Sequence, residues 1–589
     1  MIKRTALVVT LGLALGLGCS TVDSDPSDGA DDNFATGKAD GAISSLEALA
    51  VLALVNDHLV NAVELDDDAR LYKTAAYNII GHRNGPDGVV GTADDDAFDD
   101  LNELDAVKYV GKVALERLLE YAISQGYLDR LAGKTAEVIF SPQPYANSHN
   151  VRVAALIDGA TKSVDIAVYS YSDALIGTAL ENAVNRGVKI RFIFETANDD
   201  RKKTGTDLEN SKSARLERLG INVRYVNKIM HHKYMIVDGP RDDINDADSA
   251  WVVSGSGNWS NGAATRYDEN TLFLRGHREV TLRMQAEFNH LWAHSRDFIW
   301  DDTLPYELSG LTIERADIQD GPSSHALFTS DNFDLRATSP TTFRVTGRNT
   351  VSDGLVDAIG RATTSIYIAS GHLRSRPVAE AIIAKKAANP GMDIRVYLDG
   401  QEYISSWYHG EQLRDLADCV EVAGTSASKL RKCYDSGFYF GYQVGQAGVT
   451  VRYKYYSYRW HYSYAKQMHN KYAIFDGSEL WTGSYNLSNN AEHNTMENMI
   501  VLRGAEFADV VAAYTNNFLS IWDTGRADNK LADLRDEVQN ASSIPLVFDS
   551  MSLSWDEVAS LKSLIYSNCS AINTTDYRTN PQNHWYCPR

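Results

Sequence analysis

The chain has 589 residues, too many for one hydrophobic core, and its length points to two to four domains. Apolar residues make up 44% and charged residues 23%, the balance of an ordinary soluble globular protein. With 57 basic against 78 acidic residues the net charge is −21, which argues against a nucleic-acid binder unless a local basic groove compensates.

The first residues, MIKRTALVVTLGLALGLGCS, place Lys3 and Arg4 before an apolar run, Ala6 to Gly18, that is shorter than a usual membrane span. Residues 1–18 read as a signal peptide of the bacterial lipoprotein type, with cleavage before a lipidated Cys19. Gly16 departs from that pattern, where a large aliphatic residue is usual, and an ordinary secretory peptide is the alternative. Either reading predicts export, to the cell envelope through Cys19 or as a secreted protein. The Asp-, Ser- and Gly-rich stretch within 19–42 predicts a flexible linker.

Residues 43–133 predict a small all-helical module. Its Val110-Gly111 turn resembles a helix-hairpin-helix that lacks the usual first glycine, so it predicts either a grip on nucleic-acid backbone or plain helix packing. Asp94 to Asp96 do not have EF-hand spacing and predict a solvated acidic turn.

From Thr135 strands and helices alternate, and they do so twice. SVDIAVYSYS, ALIGTALENAVNRG and VKIRFIFE are echoed by TSIYIASGHL, PVAEAIIAKKAANPG and MDIRVYLDG. EVIFSP precedes the first set and HALFTS the second. The fold class is α/β, with two similar lobes, mixed sheets flanked by helices, at 135–304 and 325–530 and a C-terminal extension at 531–589. Lobe 2 carries extra residues, mostly in 401–447. Two local disulfides, Cys419–Cys433 and Cys569–Cys587, are the simplest of three connectivities, and no CxxC spacing or neighbouring His favours zinc. The polar stretch 196–213, with Arg201, Lys202 and Lys203, reads as a mobile loop.

The strongest signal is also doubled. His231-x-Lys233-x4-Asp238 leads to Gly255-Ser256-x-Asn258 and then Glu269-Asn270. His469-x-Lys471-x4-Asp476 leads to Gly483-Ser484-x-Asn486 and then Glu497-Asn498. One H-x-K-x4-D arises by chance at about one position in ten thousand, so two copies with matching downstream elements are not accidental. KYMIVD and KYAIFD read as strands, which puts each His and Lys on one face and His232 on the other. An imidazole beside a cation, with Ser and Asn donors on a tight turn, suits a phosphate. Two imidazoles, one to attack phosphorus and one to protonate the leaving oxygen, suit exchange at a phosphodiester.

These motifs resemble the signature of the phospholipase D superfamily across residues 135–530, and QMHNKYAIFDG and TGSYNLS are most similar to its endonuclease and cardiolipin hydrolase branch. The resemblance implies a metal- and cofactor-independent phosphodiesterase working through a phosphohistidine. It implies His231 as nucleophile and His469 as general acid/base, or the reverse. Lys233, Lys471, Asn258 and Asn486 would bind phosphoryl oxygens, assisted by Ser256 and Ser484. Glu269 and Glu497 would orient the imidazoles, and Asp238 and Asp476 would be structural. A monomer is expected, since one chain holds both motifs. A phospholipid at a membrane surface is the favoured substrate, on the strength of export, acidity and the aromatic run YKYYSYRWHYSY at 453–464. That run also reads as an inward-packed strand, or, with Lys454, Arg459 and His461, as a stacking surface for single strands. A nuclease is the alternative; a phosphatidyltransferase or an inactive scaffold ranks lower.

Overall fold

The computed structural model describes residues 45–589 except 91, 93, 99, 129–132, 302, 314–317, 319–320, 322, 458–464, 581–583, 585 and 589. The expected signal peptide, Cys19 and linker lie outside the described residues, as do Arg459 and His461.

Each half of the chain builds an eight-stranded mixed sheet. The first runs β1 (Thr135–Ser141), β8 (Glu269–Arg275), β7 (Trp251–Gly255), β6 (Lys233–Val237), β2 (Ser163–Val168), β3 (Lys189–Phe194), β4 (Val223–Tyr225) and β9 (Arg296–Asp297). The second repeats this order as β10 (Ser324–Phe328), β19 (Asn498–Arg503), β17 (Glu479–Gly483), β16 (Lys471–Phe475), β13 (Ser365–Ser370), β14 (Asp393–Asp399), β15 (Thr450–Tyr455) and β21 (Met551–Ser554). Strands β2, β3 and β4 are parallel, as are β13, β14 and β15, and helices Ala174–Asn185 and Arg376–Ala388 make the first crossovers. All six residues of β2 are buried, as expected for a strand covered on both faces.

Short strands complete the frame: β5 (Ile229–Met230) pairs with β18 (Thr495–Met496), β11 (Phe333–Arg336) with β12 (Ser339–Val345), and β20 (Ser543–Pro545) with β22 (Tyr586–Pro588). The two lobes share one apolar layer. It joins Tyr234, Ile236, Met284 and Phe288 of the first to Tyr472, Ile474, Tyr514 and Phe518 of the second. β21 lies beyond residue 530, so part of the segment set apart as an extension supplies an edge strand to lobe 2.

Among the described residues, 45–128 include helices Ser45–Asn56, Ala62–Asp67, Lys73–Arg83, Leu101–Ala106 and Lys112–Ser124 around their own core of Val51, Leu54, Leu65, Ile79, Leu104 and Leu118. Asp94 closes its loop by accepting from Asp87 N–H (3.0 Å) and Thr92 Oγ1 (2.6 Å).

The insertion in lobe 2 folds as helices Ser406–Ala423, Ala427–Asp435 and Gly441–Gln446, with Cys419 joined to Cys433; Cys569 is joined to Cys587. Residues 196–213 are largely helical rather than a free loop: Glu195–Asp200, Gly205–Glu209 and the start of Lys212–Arg218. Asp200 takes Ser213 N–H and Oγ, while Lys202 and Lys203 pair with Asp199 and Asp200 one turn away. That basic run is neutralised locally. In the aromatic run, Tyr453, Tyr455 and Tyr456 are buried, so its described part packs inward.

Both motif aspartates act as backbone clamps. Asp238 and Asp476 sit just past β6 and β16 with φ of +52° and +54°. Asp476 accepts the N–H groups of Thr363, Thr364 and Ser365, and Asp238 those of Thr161, Lys162 and Ser163. Partial burial opposes the charge on Asp476, but these bonds outweigh it and hold the carboxyl down at about 2. Its folded value lies below the ordinary one, so the stabilisation is complete above about pH 4 and fades as the pH falls toward 2. Asp476→Ala is expected to lower the urea unfolding free energy by about 2 kcal/mol at neutral pH, and by progressively less below about pH 4.

Candidate active site

The motif histidines precede β6 and β16 rather than lying within them, and each is fixed by the opposite lobe. His231 N–H donates to Met496 O (3.1 Å), and His469 N–H donates to Asp268 O (2.9 Å). The side chains cross in the same way. His231 Nδ1 lies 2.8 Å from Glu497 of lobe 2, and His469 Nδ1 lies 2.8 Å from Glu269 of lobe 1. Both carboxylates are fully buried, while the imidazoles keep 13% and 22% of their side-chain surface open. A carboxyl on Nδ1 leaves Nε2 as the nitrogen open to a ligand, and each imidazole is completed by the opposite lobe.

Lys233 Nζ and Lys471 Nζ each donate to the carbonyl of their own motif histidine at 2.7 Å. Each ammonium retains two further N–H groups. Burial pushes Lys233 down to about 7 and Lys471 down to about 8. His231 is driven well below its ordinary value by burial and then by Lys233, Lys471 and His469. His469 is lowered mainly by burial, with Glu269 pulling the other way. Burial raises Glu497 to about 7. The two halves are therefore alike in geometry and unlike in proton affinity.

Asn258 and Asn486 carry buried amide oxygens without a hydrogen-bond partner, one in each lobe. Ser256 and Ser484 turn away from this pair. Ser256 Oγ accepts from Asn270 N–H (2.9 Å), and Ser484 Oγ accepts from Asn498 N–H (3.1 Å). Both serines are completely buried and hold the Glu-Asn segment in place. Glycine is required before them, because a Cβ on Gly255 or Gly483 would lie 2.3 or 2.2 Å from the Asn270 or Asn498 carbonyl oxygen.

Several contributors were missed from sequence. Asn270 Nδ2 donates to Asn470 Oδ1 across the lobes (2.9 Å), and Asn498 Nδ2 meets His232 Nδ1 (3.0 Å), so the Glu-Asn pairs stitch as well as orient. His232 is fully buried against Tyr234 and Glu287, away from the open face. Glu195 and Asp399 occupy matching places just past β3 and at the end of β14. They accept the N–H of Met230 (2.7 Å) and Met468 (2.8 Å), the residues before each motif histidine. The signal was present: VKIRFIFE and MDIRVYLD both close on an acid.

The chain matches the family described as the PLD-like domain of cardiolipin synthase over residues 153–292 and 355–522, more than half of its length. It belongs to the phospholipase D-like family. Among its relatives are a mitochondrial cardiolipin hydrolase from Xenopus tropicalis, 30% identical over 153 residues, and a phospholipase D from Rickettsia conorii, 32% identical over 122 residues. The alignments cover 26% and 21% of this chain and 64% and 54% of those proteins, so this phospholipase D-like chain spans between half and two-thirds of their length. A phospholipase D family member from Salmonella typhimurium, Nuc, has a solved structure with 26% identity and a TM-score of 0.23, covering 28% of this chain and 97% of its own.

Because Lys471 loses its proton near pH 8 and Lys233 near 7, anion affinity is expected to fall as the pH rises. Tungstate keeps a fixed charge over this range, and its affinity for the wild type should drop about tenfold between pH 7 and pH 9. Lys471→Met should bind it weakly and with a shallower slope, read by calorimetry.

Proposed function

We propose that this chain is an exported phospholipase D-type phosphodiesterase that removes phospholipid headgroups through a covalent phosphohistidine. The observation that carries the reading is the crossed pair of imidazoles, each backed at Nδ1 by a buried carboxylate from the other lobe. His231, the more strongly deprotonated imidazole, is suited to attack phosphorus through Nε2. His469, whose proton affinity Glu269 supports, is suited to give its Nε2 proton to the departing alcohol oxygen. The P–O bond to the headgroup breaks as the P–N bond forms. His469 then takes a proton from water, whose oxygen displaces His231 and releases the phosphatidate.

Lys233 and Lys471 hold the non-bridging oxygens, with Asn258 and Asn486 beside them. Ser256 and Ser484 assist from behind by fixing the Glu-Asn segments. Glu269 and Glu497 orient the imidazoles. Every one of these groups is a side chain of this chain, and the proposed route calls on no metal, cofactor or second subunit. The relatives named for cardiolipin hydrolysis and phospholipase D activity support a lipid substrate. Export and a lipidated Cys19 would keep the enzyme at the membrane face where that substrate lies.

The test is headgroup release from mixed phospholipid vesicles and cleavage of DNA, run side by side in EDTA. The wild type is expected to release headgroups at an undiminished rate with chelator. His231→Ala and His469→Ala are each expected to lower kcat at least about a thousandfold. DNA cleavage without headgroup release would make the chain a nuclease, and substantial turnover by either variant would rule out the two-histidine route.

A further inference from the structure

The lobes share their motifs but differ beside the motif histidines. In lobe 2, β13 runs antiparallel to β16 with Ile366 opposite Phe475 and Ser370 opposite Lys471. The pairing continues one step further, since Gly371 N–H donates to Asn470 O at 3.2 Å. The next position in this register sets His372 opposite His469. Residues directly opposite in an antiparallel pair present their side chains on the same face, with Cβ atoms about 5 Å apart. Gly371 is pressed close to this backbone, where an added Cβ would lie 3.0 Å from Met468 O.

The same count in lobe 1 gives a different residue. Val168 is opposite Lys233, and Tyr169 N–H donates to His232 O at 2.9 Å, which leaves Ser170 opposite His231. The ring beside His231 is that of Tyr169, with centroids 5.0 Å apart, so the register sets a third imidazole opposite one motif histidine and not the other.

His372 is held as the other two are. Its Nδ1 lies 2.8 Å from Glu402 Oε1, and Glu402 is fully buried while 35% of the His372 side chain is open. Glu402 also accepts Arg374 Nε (2.9 Å) and Nη2 (2.6 Å), and the Arg374 guanidinium lies 4.3 Å from the ring of Tyr439 in the lobe 2 insertion. Burial opposes the Glu402 charge, but the hydrogen bond from His372 Nδ1 and the Arg374 guanidinium outweigh it and keep the carboxyl ionised. An ionised carboxylate can only accept, so Nδ1 carries the proton and the Nε2 of the neutral ring is an acceptor. Among the described residues His372 Nε2 has no hydrogen-bond partner.

We propose that His372 is a substrate-contacting residue that accepts a hydrogen bond from a hydroxyl on the alcohol leaving beside His469. The inference rests on the phosphodiesterase reading and adds the class of leaving group: one with a free hydroxyl, such as glycerol, over one without, such as choline. Lobe 1 differs at this place, where the Tyr169 ring rather than an imidazole lies beside His231.

The experiment compares kcat/KM on vesicles of phosphatidylglycerol and of phosphatidylcholine for the wild-type chain, His372→Ala and His372→Gln. The wild type is expected to favour the glycerol headgroup. His372→Ala should reduce that preference ratio about tenfold, as expected for one hydrogen bond, and His372→Gln, which keeps an acceptor, should restore part of it. His372→Ala, which also takes a donor from the buried Glu402, should keep a single cooperative thermal transition at a somewhat lower midpoint, with Arg374 still pairing the carboxylate. A ratio in His372→Ala within twofold of the wild type would overturn the proposal.

Calorimetry with glycerol 3-phosphate and with phosphocholine reads the same preference without turnover. If the wild type hydrolyses neither lipid, the functional reading falls, and the binding ratio of wild type to His372→Ala still decides this inference. A preference for glycerol 3-phosphate lost in the variant supports it; equal ratios refute it.

Discussion

The structure depends on two carboxyl–imidazole contacts that cross between lobes: Glu497 with His231, and Glu269 with His469. A buried carboxyl is expensive unless partners meet it, and each glutamate meets its imidazole from the other half of the chain. A lobe folded alone would lack the imidazole that faces its glutamate and leave its own imidazole with no orienting carboxyl. The lobes are therefore tied at their most polar point as well as through the shared apolar layer of Tyr234, Phe288, Tyr472 and Phe518. Backbone bonds from Met496 to His231 and from Asp268 to His469 fix the same crossing. The duplication is needed because one copy supplies the imidazole and the other the group that makes it useful.

That crossing also sets the electrostatics. Two ammonium groups, two imidazoles and two carboxylates share one enclosed volume, so each cation weakens the hold of its neighbours on their protons. An anionic phosphodiester reverses the balance. It lowers the free energy of the charged lysines and of a protonated imidazole, the forms that the proposed route calls on. The stronger depression at His231 breaks the symmetry of the pair, and His372 breaks it again in shape.

Most of this was legible in the sequence, for identifiable reasons. The doubled strand–helix–strand pattern gave the two sheets because buried parallel strands such as KIRFIF and DIRVYL read as continuous apolar runs. The H-x-K-x4-D and GSxN spacings located the site because the residues are close in sequence within each lobe. The crossing of Glu269 and Glu497 was not legible, since spacing within a lobe carries no record of which lobe receives the side chain. The inward turn of Ser256 and Ser484 depends on how closely β7 and β17 approach β8 and β19, which only packing decides. The helices within 196–213 were read as loop because polar composition hides caps and one-turn ion pairs such as Lys203–Asp200. His372 passed unnoticed because it lies outside both motifs, and only the pairing of β13 with β16 sets it opposite His469.

The crossing is tested most directly by following imidazole nitrogen resonances of the full chain as the pH is changed, in Glu269→Gln and Glu497→Gln. The account predicts that Glu269→Gln lowers the titration of His469 and leaves that of His231 little changed, with the converse for Glu497→Gln. A Glu269→Gln variant that shifts His231 instead would mean that each lobe orients its own histidine, and the composite site would be wrong.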